Sequence, residues 1–171
     1  MISRTLTPAL SLLGRGSNSQ ALVELALVLP VVLIMLLGMS DLGRAFVFGV
    51  AVQQGAREGA RIASNASLDT NVTDSVVLQQ LIVASAPAIA DCTAVLNTQQ
   101  TCGGGTWAFN VRVTPPGGTP TYSSLASARS SLATLSGSHV EVRAFGSVAM
   151  FAGVLSAAQI TVQGDAVMVI T

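Results

Sequence analysis

The chain of 171 residues carries eight basic and eight acidic side chains, has zero formal net charge and contains no lysine. Without a basic patch to hold phosphates, the composition argues against nucleic-acid binding. Half of the residues are hydrophobic and only 9% are charged, whereas a soluble domain typically carries about 25% charged residues. This deficit indicates a membrane segment or a surface buried in an assembly, with room for one small domain outside the membrane.

The N-terminal region predicts a membrane anchor. Residues 1–19 form a basic leader, because they contain Arg4 and Arg15 and no acidic residue. The positive-inside rule places such a leader in the cytoplasm and the bulk of the chain on the other side of the membrane. We expect a long helix over residues 20–66, with its transmembrane segment at residues 21–40.

Glu24 is the single carboxylate at the start of the apolar segment, and no ionisable side chain follows it before Asp41. A charge within the hydrocarbon costs about 2.5–3.5 kcal/mol even on lenient scales, so Glu24 calls for a functional explanation. A secretory signal peptide is disfavoured because the apolar run ends without a small-residue cleavage site. A plain single-pass anchor remains open, although it has no need of Glu24.

A prepilin-type leader is the third interpretation. A peptidase would cut on the cytoplasmic side, between Ser19 and Gln20, and Glu24 would become the fifth residue of the mature chain. The carboxylate of Glu24 could then pair with the new α-amino group of a neighbouring subunit in a helical filament. Such a pair offsets two desolvation penalties and sets the register between subunits, which is the best-attested role of buried charge pairs.

Small residues recur every four positions in the second half of the long helix. Gly55, Gly59 and Ala63 form one stripe, and Ala56 and Ala60 form another. Such stripes let a second helix backbone approach closely. Two uses stay open, namely a helix–helix assembly face and tight packing against the chain's own domain.

The remainder, residues 67–171, predicts a small α+β domain with a second helix and an antiparallel three-stranded sheet. Alternating apolar residues predict the strands, and turn residues or proline end the elements. The expected elements are a helix from Ser75 to about Ala86, capped by Thr73 and Asp74, ended by Pro87 and apolar at Val76, Val77, Leu81 and Ile82; a strand at 107–113; a weak helix or loop at 123–135; a strand from 139 that continues to 151; and a strand at 160–170.

Cys92 and Cys102 lie ten positions apart. In an exported domain they would close a short loop as a disulfide. Two unpaired thiols and half of a metal site are the alternatives, but with one histidine and no second cysteine pair the chain lacks the ligands of a zinc site. We expect no metal and no cofactor.

The sequence does not predict an enzyme. His139 is the only histidine and begins an alternating strand, with Glu141 on the same face. No nucleophile elbow, phosphate-binding glycine loop, paired carboxylates or metal-ligand cluster accompanies them. We interpret His139 as a surface residue at the edge of a strand.

Two N-terminal blocks and one C-terminal strand resemble the TadE-like family, the pilin-like membrane proteins of the Flp, or tight-adherence, pilus system. The first block is residues 20–30 followed by Gly38-x-x-Asp41-x-Gly43-Arg44. The second is residues 51–63, which contain Ala56-Arg57-Glu58-Gly59-Ala60-Arg61, and the weaker third is residues 160–168. The chain departs from the family where Leu25 replaces an aromatic residue and Ser19 replaces the glycine before the cut.

The resemblance implies a minor pseudopilin that supports assembly of a thin adhesive pilus and is not itself a catalyst. It implies a single-pass protein of the bacterial cell membrane, with its N-terminus in the cytoplasm and its C-terminal domain extracytoplasmic. The partners it implies are a prepilin peptidase, other pilins or pseudopilins, the pilus assembly platform and membrane lipid. The alternative is an unprocessed bitopic anchor with an extracytoplasmic binding domain.

Overall fold

A computed structural model describes residues 13–86, 88–149 and 159–171, with side chains from Gln20 onward. The chain forms two compact units that divide between Ser40 and Asp41. Most of the predicted leader, the helix-ending Pro87 and the predicted continuation of a strand to residue 151 lie outside the described residues.

Helix α1 runs from Leu13 to Ala63 and continues through Pro30 without a break. It begins before the expected start at residue 20, and it ends three residues before the expected end at residue 66, because turns follow directly from Ser64. The N-terminal half of the helix is strongly apolar, and none of its most apolar stretch is buried. The helix is therefore long and apolar enough to cross a membrane, which agrees with the expected anchor.

The second unit contains an antiparallel sheet of four strands in the order β1-β2-β3-β4. The strands are β1 Gln100–Cys102, β2 Gly105–Thr114, β3 His139–Ala149 and β4 Gln159–Val169. The expected antiparallel sheet is present, but the prediction of three strands was wrong. The additional strand is β1, which is only three residues long and pairs through the tight turn at Gly103 and Gly104.

Alternation along β2 and β3 builds the core face of the sheet. Trp107, Phe109, Val111 and Val113 of β2 are all buried, with polar or small residues between them. Since successive side chains of a strand point to opposite faces, these residues share one face with their cross-strand partners on β3. The other face carries mainly polar side chains, so one face of the sheet packs on the core and the other stays outside.

Two short helices complete the unit. Helix α2 spans Asp74–Ala84, and helix α3 spans Leu125–Ser131, which resolves the predicted weak helix or loop as a helix. The buried residues of α2 are Val77, Leu78, Leu81 and Ile82. The expected apolar face was wrong at Val76, which is exposed, because the true face is rotated by one position toward Leu78.

The expected capping of α2 also differs in the structure. Thr73 is the N-cap residue but makes no side-chain cap hydrogen bond. The carboxylate of Asp74 instead accepts hydrogen bonds from the backbone N–H groups of Leu125 and Ala126 at the start of α3, at 2.7 and 3.2 Å. Asp74 thus ties the first turn of α2 to the first turn of α3.

Candidate membrane and assembly surface

Glu24 lies on the exposed surface of α1, one turn after Gln20. The side-chain amide of Gln20 donates a hydrogen bond to Glu24 Oε1 at 3.3 Å. The predicted cleavage junction between Ser19 and Gln20 falls within α1, and the side chain of Ser19 is outside the described residues. The carboxylate therefore stands beside the predicted new N-terminus, where a cation could reach it.

The small residues at 55–63 of α1 pack against α2 within the second unit. A Cβ atom on Gly55 would lie 2.5 Å from the carbonyl oxygen of Leu81, and one on Gly59 would lie 3.3 Å from that of Val77. The alanines of both stripes, Ala56, Ala60 and Ala63, are fully buried. The stripes thus allow α1 to pack closely on α2, so of the two uses left open by the sequence the structure displays packing within the domain.

Another face of α1 in the second unit is exposed and apolar. Leu42, Phe46 and Val50 recur every four residues, and the side chain of Phe46 is 73% exposed. The charged residues of the same stretch point elsewhere. Asp41 is only 4% exposed, and the guanidinium of Arg44 lies 5.2 Å from the ring centroid of Phe48, which is within the range of a cation–π contact.

Gln53 marks the end of this exposed apolar face and fixes α1 against the edge strand β4. Its side-chain amide donates a hydrogen bond to the carbonyl oxygen of Asp165 at 2.7 Å, and its Oε1 accepts one from the backbone N–H of Asp165 at 3.3 Å. A Cβ atom on Gly164 would lie 2.6 Å from the carbonyl oxygen of Val52. Glycine at this position therefore allows the helix backbone to lie directly on the strand.

The charged residues of the sheet cluster in the half that contains Asp165. Glu141 forms ion pairs with Arg112, at 3.6 Å, and with Arg143, and Arg143 is the cross-strand neighbour of Asp165. On α1, Arg61 Nε donates a hydrogen bond to Glu58 Oε2, three positions earlier, at 2.9 Å. This hydrogen bond lowers the pKa of the Glu58 carboxyl and raises the pKa of the Arg61 guanidinium.

Cys92 and Cys102 form a disulfide with a Cα–Cα distance of 5.2 Å. Both residues belong to the buried core cluster, in which the neighbouring Ile89 is fully buried. The carboxylate of Asp91 accepts a hydrogen bond from the backbone N–H of Gly103 at 3.3 Å. The cross-link thus holds the segment that follows α2 against strand β1.

His139 is exposed at the first position of β3. Within the described ranges, no group of three or more histidine, cysteine, aspartate or glutamate side chains could hold a metal ion.

Three contacts were not predicted from the sequence. The burial of Asp41 and the amide contacts of Gln53 depend on the packing of α1 on the sheet. Asp74 was expected as a cap of α2, but its contacts with the start of α3, more than 50 positions away, were not expected. In the sequence, these residues show only as polar residues next to apolar neighbours. This local pattern does not identify the distant residues that they contact.

The family model of TadE-like proteins matches residues 20–61. The match confirms the resemblance seen in the sequence and covers the apolar part of α1 together with the stretch that packs on α2. It does not extend to the sheet. No curated protein and no solved structure is similar to the chain at a significant level.

Proposed function

We propose that the chain is a minor pseudopilin of the TadE-like type that acts in the assembly of a Flp/Tad-type adhesive pilus. It would be a single-pass protein of the bacterial cell membrane, anchored through residues 21–40, with a non-catalytic role in contacts with other pilins or pseudopilins and the assembly platform. The observation that carries this proposal is the family match over residues 20–61. The match includes the apolar part of α1, of which nothing is buried.

The exposed apolar helix supports membrane anchoring on energetic grounds. Residues 25–40 contain no ionisable side chain, and burying one large aliphatic side chain contributes about 1.5–3 kcal/mol. In water, a row of such side chains would stay exposed and promote aggregation. A bilayer core of about 30 Å needs about 20 helical residues, which residues 21–40 provide.

Glu24 is the residue to which we assign register between subunits. Its carboxylate lies next to the apolar segment and is exposed on α1. Cleavage by a prepilin peptidase between Ser19 and Gln20 would create an α-amino group one helical turn away. A carboxylate of one subunit and the amine of another would then remove each other's desolvation cost and fix their axial offset.

The disulfide between Cys92 and Cys102 supports an extracytoplasmic second unit, because disulfides persist in oxidising compartments and are rare in the cytosol. The basic leader with Arg4 and Arg15 supports a cytoplasmic N-terminus. Both arguments give the same orientation for the chain.

The test combines processing with a charge variant. Intact mass and N-terminal sequencing of the membrane-extracted chain should give a mature N-terminus at Gln20. Glu24→Ala and Glu24→Gln should both abolish piliation while the protein still inserts in the membrane. Leu25→Ala is the matched control, since it removes an exposed neighbour without a charge, and it should leave piliation close to normal.

Different results would contradict separate parts of the proposal. Normal piliation with Glu24→Ala would remove the registry role of the carboxylate. A chain that keeps Met1 in piliated cells would point to an unprocessed bitopic anchor. Normal piliation after deletion of the whole gene would contradict the role in pilus assembly.

A further inference from the structure

Within the second unit, helix α1 has an uncharged exposed face. Leu42, Phe46 and Val50 form that face, and all three are exposed. Between Leu25 and Arg57 the sequence holds only two ionisable residues, Asp41 and Arg44. Neither belongs to the exposed face, because Asp41 is buried and Arg44 is half-buried over Phe48.

The sheet shows the same separation of charge, and it does so independently of the helix. β3 from Ala144 to Ala149 and β4 from Gln159 to Gly164 contain no ionisable side chain. The next pair along these strands is Arg143 opposite Asp165, where the charged half of the sheet begins.

The uncharged half of the sheet lies level with residues 41–45 of α1. Val148, Ala149 and Ile160 line one narrow cleft together with Asp41, Arg44 and Ala45. Asp91, next to the turn at Gly103, is an exposed acidic residue beside this end. At a bilayer surface, an exposed carboxylate at this position can stay among the polar lipid headgroups.

The hydrogen bonds between Gln53 and Asp165 give a second position at which α1 and the sheet lie side by side. On α1, the first exposed charge past this level is Arg57, and on the sheet the charges start at Arg143 and Asp165. Both elements therefore change from uncharged to charged at one common level. A partner helix would require an apolar stripe on α1 alone, whereas a planar boundary across a helix and a sheet is what a bilayer surface imposes.

We propose that the second unit rests on the bilayer, with Leu42, Phe46 and Val50 in the headgroup and upper acyl region and the Gln53–Asp165 contact at its aqueous border. The inference rests on the membrane anchoring proposed above and adds a lipid-contacting surface to the domain. Amphipathic helices at such interfaces bury their apolar face about 5–10 Å deep. The partner of this surface is lipid, and the second unit is held close to the membrane.

Quenching by brominated lipid tests this placement. The full chain is reconstituted at low density in vesicles of phosphatidylcholine and phosphatidylglycerol, with or without bromine on the acyl chains. Phe46→Trp adds a fluorophore at the proposed lipid contact. Leu68→Trp is the matched control, because Leu68 is also an exposed apolar residue of the second unit, at 77%. The unsubstituted chain supplies the background of the buried Trp107.

We expect brominated lipid to remove most of the added fluorescence of Phe46→Trp and little of that of Leu68→Trp. A third variant, Val32→Trp, reports on the anchor itself. Quenching of Val32→Trp without quenching of Phe46→Trp overturns the lipid contact and leaves the anchor intact. Absence of quenching in both overturns the anchoring as well.

A second copy of the chain is the competing occupant of this face. In that case, the tryptophan at position 46 would stay unquenched by brominated lipid and would lose its accessibility to aqueous iodide only as the protein density rises. That result also overturns the proposal. Because Phe46 is 73% exposed, the substitution should leave the fold intact, which far-ultraviolet circular dichroism checks.

Discussion

At the scale of single residues, a few polar side chains join segments that are far apart in the sequence. Arg129 of α3 donates hydrogen bonds to the carbonyl oxygens of Ala66, at 2.7 Å, and Asp69, at 3.1 Å. Asp74 accepts two from the start of α3. Together these contacts anchor α3, a helix of seven residues, which is too short to be stable on its own.

Replacement of Asp74 tests how far this anchoring stabilises the second unit. Asp74→Ala leaves the N–H groups of Leu125 and Ala126 without their acceptors, and hydrogen bonds to charged groups contribute about 1.5–3 kcal/mol. We therefore expect the free energy of unfolding in urea to fall by about 1–3 kcal/mol. Asp74→Asn keeps one acceptor oxygen and should cost less.

Asp69→Asn is the control for this prediction, because the Asp69 side chain accepts hydrogen bonds only within its own turn, from Asn71, among those described. Its effect should be well below that of Asp74→Ala. Equal effects of the two substitutions would show that the link between α2 and α3 adds no particular stability.

At the scale of elements, the close crossing of α1 and α2 depends more on the glycine at position 55 than on the glycine at position 59. A Cβ atom on Gly55 would lie 1.8 Å from Ser85 Oγ and 2.5 Å from the carbonyl oxygen of Leu81. On Gly59 the nearest atom would be Val142 Cγ1 at 3.2 Å. The first approach requires a backbone to move by a large amount, whereas the second requires the Val142 side chain and the Val77 carbonyl oxygen, at 3.3 Å, to give by only a few tenths of an ångström.

Alanine at each position should separate these two cases. Overpacking in a core costs about 1–3 kcal/mol, while replacing an interior helical glycine by alanine gains about 1 kcal/mol in helix propensity. Gly55→Ala should therefore lower the melting temperature, and Gly59→Ala should change it little in either direction. A melting temperature of Gly55→Ala equal to or above that of Gly59→Ala would contradict the close crossing.

The sequence predicts the long elements well because their patterns are local. The uncharged run from 25 to 40 and the alternation in β2 and β3 determine a helix and two strands without reference to the rest of the chain. Strand β1 could not be predicted, since three residues show no period and their strand character comes from pairing with β2. The small-residue stripes have the same pattern whether their partner is another subunit or α2.

The candidate surface was predictable only in part for the same reason. Glu24 stands out because it is a lone charge before an apolar run, which is a local signal. Leu42, Phe46 and Val50 show in the sequence as recurring apolar positions, but their exposure could not be predicted, because Asp41 and Arg44 lie among them in the sequence. Only the packing of the sheet shows that these two charges lie away from that face.

At the scale of the whole molecule, the core is confined to the second unit. Every buried hydrophobic residue of the described chain lies at Val52 or later, and the unit has its own disulfide. A chain that starts at Asp41 retains all of these residues. It also places an acidic side chain in the first turn of the shortened helix, which is favourable there.

We therefore expect residues 41–171, produced with the disulfide formed, to unfold cooperatively with a melting temperature within about 5 °C of that of the full chain in detergent.

Without a membrane, the exposed face at Phe46 should make this fragment self-associate, since isolated apolar patches promote association. Phe46→Ser should shift it toward the monomer in analytical ultracentrifugation, whereas Leu68→Ser should not. A fragment that fails to fold would mean that the second unit needs the anchor for its stability. A fragment that stays monomeric without the substitution would show that the exposed face does not bind a second copy of the fragment in solution.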